Sequence, residues 1–183
     1  MNTDYSIIDL RKSKAHLQLL WIGIGSICMF FAGLTSIIFV DKMQFPELPG
    51  WFESSTFYIF CSSIFLITAK VKIKKNEGVS RDLMIVLACG LFFAYCQFRG
   101  WGDLVSNDIY FSGGMKESSL LYVLTGAHLA HLLFGLIALV ITIINNQKNK
   151  YHANNYEGIK LASNYWHFLT ILWAYLFLFL NYL

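Results

Sequence analysis

The sequence predicts an all-α integral membrane bundle of five transmembrane helices, with its N-terminus inside and its C-terminus outside. Three observations carry this prediction. Of 183 residues, 56% are hydrophobic and 14% charged, whereas about a quarter of the residues of an ordinary soluble domain are charged. The apolar residues gather into five long stretches. The charges collect between those stretches and divide unequally between the two sides.

A bilayer core about 30 Å thick takes roughly 20 helical residues to cross. The first stretch covers residues 16–40. It exceeds the 7 to 15 apolar residues of a signal peptide and no A-x-A-like site follows it, so it reads as a retained anchor. Residues 1–15 then form a cytoplasmic tail, and 16–183 a single transmembrane domain. The second and third stretches, 52–68 and 83–98, are the shortest and span only if Trp51, Lys70, Asp82 or Trp101 sits at the headgroups. The fourth and fifth, 118–144 and 158–183, are long enough alone. None alternates as the strands of a closed barrel would, so each must satisfy its backbone internally as a helix. The connections hold the breakers: Pro46, Pro49 and Gly50, then Asn76 and Gly78, then Gly113 and Gly114, then residues 145–155.

Basic residues orient the chain, because short cytoplasmic segments are enriched in Lys and Arg. Arg11, Lys12 and Lys14 precede the first span. Lys70, Lys72, Lys74, Lys75 and Arg81 lie between the second and third, and Lys148, Lys150 and Lys160 between the fourth and fifth. Lys42, Arg99 and Lys116 fall on the opposite side. The richer side is the cytoplasm.

The net charge of +3 leaves no footprint for nucleic acid. Cys28, Cys61, Cys89 and Cys96 match no zinc or redox spacing and read as small buried apolar residues. No internal repeat suggests an inverted-repeat transporter. No carboxylate occupies the middle of a span, so the chain lacks the relay of a proton pump.

Three histidines remain inside the spans. His128 and His131 are three residues apart on one face of the fourth helix, with Thr125, Gly135 and Ala138 on the same face. His167 lies in the fifth. By helical rise, His131 and His167 sit about 20 Å and about 14 Å from the inner boundary, so side-chain reach can bring them close. Imidazoles can ligate a metal or haem, but no cysteine cluster or carboxylate accompanies these three. Interhelical hydrogen bonding at a packing seam is the better reading. Arg99, at the outer end of the third span, is either a lipid-phosphate contact, a partner of Asp103, or a snorkelling anchor. Trp21, Trp51, Trp101, Trp166 and Trp173 read as belt and packing residues.

The run Thr125-Gly126-Ala127-His128-Leu129-Ala130-His131, then Gly135, and later Tyr165-Trp166-His167-Phe168, resembles the T-G-x-H-x-x-H and Y-W-H-F motifs of subunit III of the haem-copper oxidases, the cytochrome c and quinol oxidases. Residues 25–33, 52–69, Gly90 and Gln97 extend the likeness, and the family's shorter members have five spans. Two departures stand out. The family's buried glutamate is replaced by Ile27, and an acidic residue after Y-W-H-F by Thr170.

The resemblance implies an accessory subunit without catalytic residues, metal ligands or a redox centre of its own. Haem and copper would reside in the partner, subunit I, which reduces oxygen. This chain would sustain proton uptake there and protect against inactivation, partly through membrane lipids. The expected location is the bacterial inner membrane, with cytochrome c slightly favoured over quinol as donor. Alternatives are the accessory subunit of a quinol oxidase or nitric oxide reductase, a bis-histidine haem cytochrome using His128, His131 and His167, and a small transporter.

Overall fold

Over its described residues each apolar stretch lies in a helix, and the first four helices overshoot the apolar residues at both ends. In a computed structural model, residues 2–182 are described apart from 42, 44, 46, 112–115 and 152–154, with the side chains of 2–10, 12, 13 and 182 also left out. The helices are α1 (Asn2–Asp41), α2 (Gly50–Lys74), α3 (Ser80–Ser106), α4 (Lys116–Gln147) and α5 (Glu157–Tyr182). The two short stretches gain their missing length from their flanks: α2 takes in Trp51 and Lys70, α3 takes in Asp82 and Trp101. The tail expected over 1–15 is helical from Asn2 and runs unbroken into the first apolar stretch.

Lys14–Asp41 of α1, together with α2, α3 and α4, is long and apolar enough to cross a membrane. At 26 residues, α5 matches them in length but is more polar in its N-terminal half, where Ser163, Asn164 and His167 lie. Large apolar side chains such as Met29, Phe57, Phe98, Phe134 and Ile171 are exposed on the helix exteriors. That is the surface of a multi-pass membrane protein, in which lipid replaces water around an apolar exterior.

Three helices end in the same way. At the end of α2, Glu77 N–H donates to Lys72 O at 3.0 Å and Asn76 N–H to Ile73 O at 3.1 Å. This is a Schellman motif, which needs a left-handed residue in its bend, and Asn76 has φ 57°. The motif recurs after α3, with Ile109 N–H on Leu104 O and Asp108 at φ 61°, and after α4, with Lys150 N–H on Asn145 O and Asn149 at φ 51°. Short Asn and Asp side chains tolerate this conformation. Pro49 immediately precedes α2, and its carbonyl accepts Phe52 N–H at 2.9 Å. Pro46, Gly113 and Gly114, read as breakers, lie outside the described residues, as does Lys42.

α2, α3, α4 and α5 form a ring in which each helix touches the next and α5 returns to α2, while α1 lies outside against α4 and α5. The ring encloses a core that includes Phe52, Ile59, Phe93, Leu132, Trp166 and Trp173. A second cluster, with Phe31, Ile38, Leu124 and Leu172, joins α1 to the ring. At one end the α2–α3 hairpin is pinned by Lys72 Nζ to Asp82 Oδ2 at 2.7 Å, the one ion pair among the described residues. Asn146 Nδ2 donates to Ser80 Oγ at 2.9 Å, tying the end of α4 to the start of α3. The cysteines correct the sequence reading: Cys96 alone is buried, Cys61 and Cys89 are half-buried, and Cys28 is exposed.

Candidate functional site

Two tryptophans on α5 organise the ring. Trp166 and Trp173 are seven residues apart, two turns of one helical face, and both are buried. Trp166 Nε1 donates to Ser62 Oγ on α2 at 2.8 Å. Its indole also closes on both neighbours. A Cβ placed on Gly90 of α3 would lie 2.7 Å from its ring, and one on Gly135 of α4 would lie 3.4 Å away. Only glycine leaves room for the indole at Gly90, because real Cβ atoms do not approach that closely.

Trp173 repeats the arrangement two turns on. Its Nε1 donates to Thr56 Oγ1 on α2 at 2.8 Å. Its ring stacks on Phe52 at 6.2 Å, meets Phe93 of α3 edge-on at 5.0 Å, and lies 5.1 Å from the imidazole of His128 on α4. Each indole therefore touches all three other helices of the ring. The belt reading fails for these two: a buried indole needs an acceptor, and α2 supplies a hydroxyl for each.

Polar side chains bridge the remaining interfaces. Gln97 Nε2 donates to Ser55 Oγ at 2.9 Å, joining α3 to α2. Trp101 Nε1 donates to Thr125 Oγ1 at 3.1 Å, and Thr125 Oγ1 in turn donates a hydrogen bond to Leu121 O at 2.8 Å. Tyr165 Oη donates to the His131 carbonyl at 3.1 Å, joining α5 to α4. Of these hydroxyl partners Thr125 belongs to the sequence motif, whereas those on α2 carry no motif. Their signal was present: Ser55 and Ser62, like Thr56 and Ser63, are two turns apart on α2.

The histidines separate. His128 is fully buried between Phe93, 5.7 Å away, and Trp173, with neither ring nitrogen hydrogen-bonded to the protein. His131 turns to α1, its ring 5.8 Å from Phe31 and 6.5 Å from Phe30, while Nδ1 donates to Ala127 O at 2.7 Å. His167 faces α2, its Nδ1 hydrogen-bonded to Ser63 Oγ at 2.6 Å. His131 and His167, which helical rise allows to come close, turn to different helices, α1 and α2, because rise along the axis leaves the rotation about each helix free. Among the described residues no three His, Cys, Asp or Glu side chains gather as a metal site.

The other motif residues take plainer positions. Gly135 admits Leu169, Trp166 and Tyr165 against α4, whereas a Cβ on Gly126 would meet only Trp101, at 4.0 Å. Phe168 is half-buried and packs on both apolar clusters. Arg99 is exposed and lies over the Trp51 ring at 5.4 Å, so it makes no ion pair with Asp103. Ile27 is half-buried against the α1 cluster, and Thr170 Oγ1 donates within α5 to Trp166 O at 3.0 Å.

The family model described as Cytochrome c oxidase subunit III matches residues 53–183. That stretch covers nearly the whole four-helix ring and leaves α1 outside. A probable cytochrome c oxidase subunit 3 of Nocardia farcinica is 30% identical over 167 residues, 85% of this chain and 82% of that protein. Cytochrome c oxidase subunit 3 of Corynebacterium diphtheriae is 26% identical over 163 residues, covering 82% and 79%. That of Spodoptera frugiperda is 25% identical over 149 residues, covering 79% and 92%.

Proposed function

Since the chain belongs to the cytochrome c oxidase subunit III family, we propose that it is the non-catalytic accessory subunit of a respiratory haem-copper terminal oxidase whose electron donor is cytochrome c. One observation carries the non-catalytic half of this reading. Four polar pairs inside the ring join one helix to another, Trp166 on Ser62, Trp173 on Thr56, Gln97 on Ser55 and Trp101 on Thr125.

In this reading the chain holds no redox centre, and haem and copper sit in the partner subunit I. The divergent directions of His128, His131 and His167 support that assignment over a bis-histidine cytochrome. All five helices span the inner membrane of a bacterial cell, N-terminus inside, a direction supported by the eleven basic residues on one side against three on the other. The chain sustains proton uptake by subunit I as a rigid packed wall rather than as a proton conductor, since Ile27 offers no carboxylate. Lipids fill its exposed apolar faces, and Arg99, held over Trp51, meets a lipid phosphate at the outer end of α3.

The test is purification from native membranes in mild detergent. The chain is expected to co-migrate with a haem and copper subunit that oxidises cytochrome c. Its removal should leave the haem spectrum unchanged and hasten the decay of activity during turnover. Failure to co-migrate with any haem and copper subunit overturns the proposal.

A further inference from the structure

Two of the cysteines face each other across the α2–α3 seam. Trp166 sets the two helices level, since its indole donates to Ser62 of α2 and lies against Gly90 of α3. Cys61 immediately precedes Ser62, and Cys89 immediately precedes Gly90. One helical turn toward Phe52, Tyr58 of α2 stacks on Phe92 of α3 with ring centroids 5.5 Å apart. Cys61 follows Tyr58 by one turn and Cys89 precedes Phe92 by one turn, so in this antiparallel hairpin both thiols continue the faces that carry the stack. They lie close enough for charge on one sulfur to act on the other. The remaining two have no such counterpart: Cys28 is on α1, and Cys96 adjoins Gln97, whose level on α2 is taken by Ser55.

The position of the pair decides what can reach it. Cys61 is about 16 Å of helical rise from Gly50 and about 20 Å from Lys74, the two ends of α2, which places it in the middle of a membrane span. Neither sulfur is fully enclosed, because both cysteines are half-buried. Phe65, one turn beyond Cys61, is 36% exposed, and Phe92, one turn from Cys89, is 54% exposed. The thiols therefore open toward the outside of the hairpin at a depth closed to reagents dissolved in water. An oxidant that meets them there must dissolve among acyl chains, as organic hydroperoxides do.

We propose that Cys61 and Cys89 form a redox pair that reduces organic hydroperoxides in the membrane and closes to a disulfide joining α2 to α3. One sulfur attacks the terminal peroxide oxygen and the O–O bond breaks. The alkoxide takes the thiol proton and leaves as an alcohol, and the sulfur becomes a sulfenic acid. The second sulfur then attacks the first, the S–O bond breaks, and hydroxide leaves with the second thiol proton as water. Two electrons pass from the thiol pair to the peroxide. Apolar surroundings keep a thiol protonated and slow, so the first step limits the rate, and the facing thiol captures the sulfenic acid before it oxidises further. The pair depends on α2 and α3 as membrane spans but not on any oxidase partner, so its failure and that of the proposed function are separable.

The experiment exposes the reduced full chain, one copy per nanodisc, to cumene hydroperoxide and then alkylates the remaining thiols with N-ethylmaleimide in denaturant. Of the four cysteines, Cys61 and Cys89 should be lost to alkylation together, with a fall of about 2 Da in intact mass for the two hydrogens removed. One linked peptide should carry both residues, and one cumyl alcohol should form per disulfide. Cys61→Ala or Cys89→Ala should abolish the link, whereas Cys28→Ala with Cys96→Ala should leave it intact. Absence of oxidation, a link to Cys28 or Cys96, equal oxidation of all four thiols, or oxidation of Cys61 and Cys89 without a link overturns the pair. The wild-type linked peptide decides the matter even where a variant fails to fold.

Discussion

Trp166 Nε1 donates to Ser62 Oγ at 2.8 Å, so one side chain of α5 anchors in α2 while its ring fills the space that the missing Cβ of Gly90 leaves on α3. In lipid, helices gain little from burying apolar surface against one another, because the tails are as apolar as the core. Close packing and interhelical hydrogen bonds hold them instead. Trp166 supplies both at one point.

Gly90→Val is therefore expected to destabilise the chain by about 1–3 kcal/mol. Its new Cβ would sit 2.7 Å from the Trp166 ring and 2.9 Å from Leu136 Cδ2, and neither lies at the loose end of a long chain. Trp166→Phe keeps most of the ring but loses the hydrogen bond to Ser62, at a cost of about 1 kcal/mol. Thermal denaturation in detergent should rank Gly90→Val as the worse of the two. A fully stable Gly90→Val would mean that the indole does not occupy this place.

His128 gives the opposite expectation. Its imidazole is fully buried with both nitrogens lacking a protein partner, so its polarity costs free energy while its ring area packs on Phe93 and Trp173. His128→Phe retains the aromatic packing and removes the unpaired groups. We expect unchanged or raised thermal stability, whereas His128→Ala opens a cavity and lowers it. A marked loss in His128→Phe would show that the nitrogens are bonded in the membrane.

The prediction for the hairpin end rests on unequal burial. The Asp82 side chain is 4% exposed and that of Lys72 31%. Lys72→Gln strands a buried carboxylate, at roughly 1–3 kcal/mol. Asp82→Asn instead leaves an ammonium that can turn to water. The lysine variant should be the less stable. Equal stabilities would place Asp82 within reach of solvent.

How much of this was legible in the sequence follows from what lipid does to patterning. Five helices could be counted because each apolar stretch is long and ends at recognisable residues such as Asn76 and Asn149. Asp108 escaped notice, since one acidic residue in a polar loop carries no special mark. The faces were harder. When both the core and the exterior are apolar, periodicity no longer tells inside from outside. Trp173 therefore looks no different in sequence from Trp21, which is exposed, and only its motif sets Trp166 apart. The motif histidines were found by type and spacing, but their separation into the ring, toward α1 and toward α2 depends on helix rotation, which spacing does not encode. The glycines told more, because Gly90 and Gly135 mark where helices approach closely.

His131 is the side chain whose loss should loosen α1 without touching any redox centre. Its ring lies against Phe31 and Phe30, and among the described residues α1 touches only α4 and α5 of the helices. Few other contacts can compensate. An aromatic contact of this kind is worth about 0.5–1.5 kcal/mol, so His131→Ala should raise proteolysis and hydrogen exchange in α1 and lower the yield of assembled complex. Trp166 and Ser62 would stay protected, because the ring closes without α1. The haem absorption bands of the purified complex should not move, since the imidazole ring packs on Phe31 and Phe30 of α1. A shifted haem band in the variant would make His131 a ligand and reverse its assignment as a packing residue.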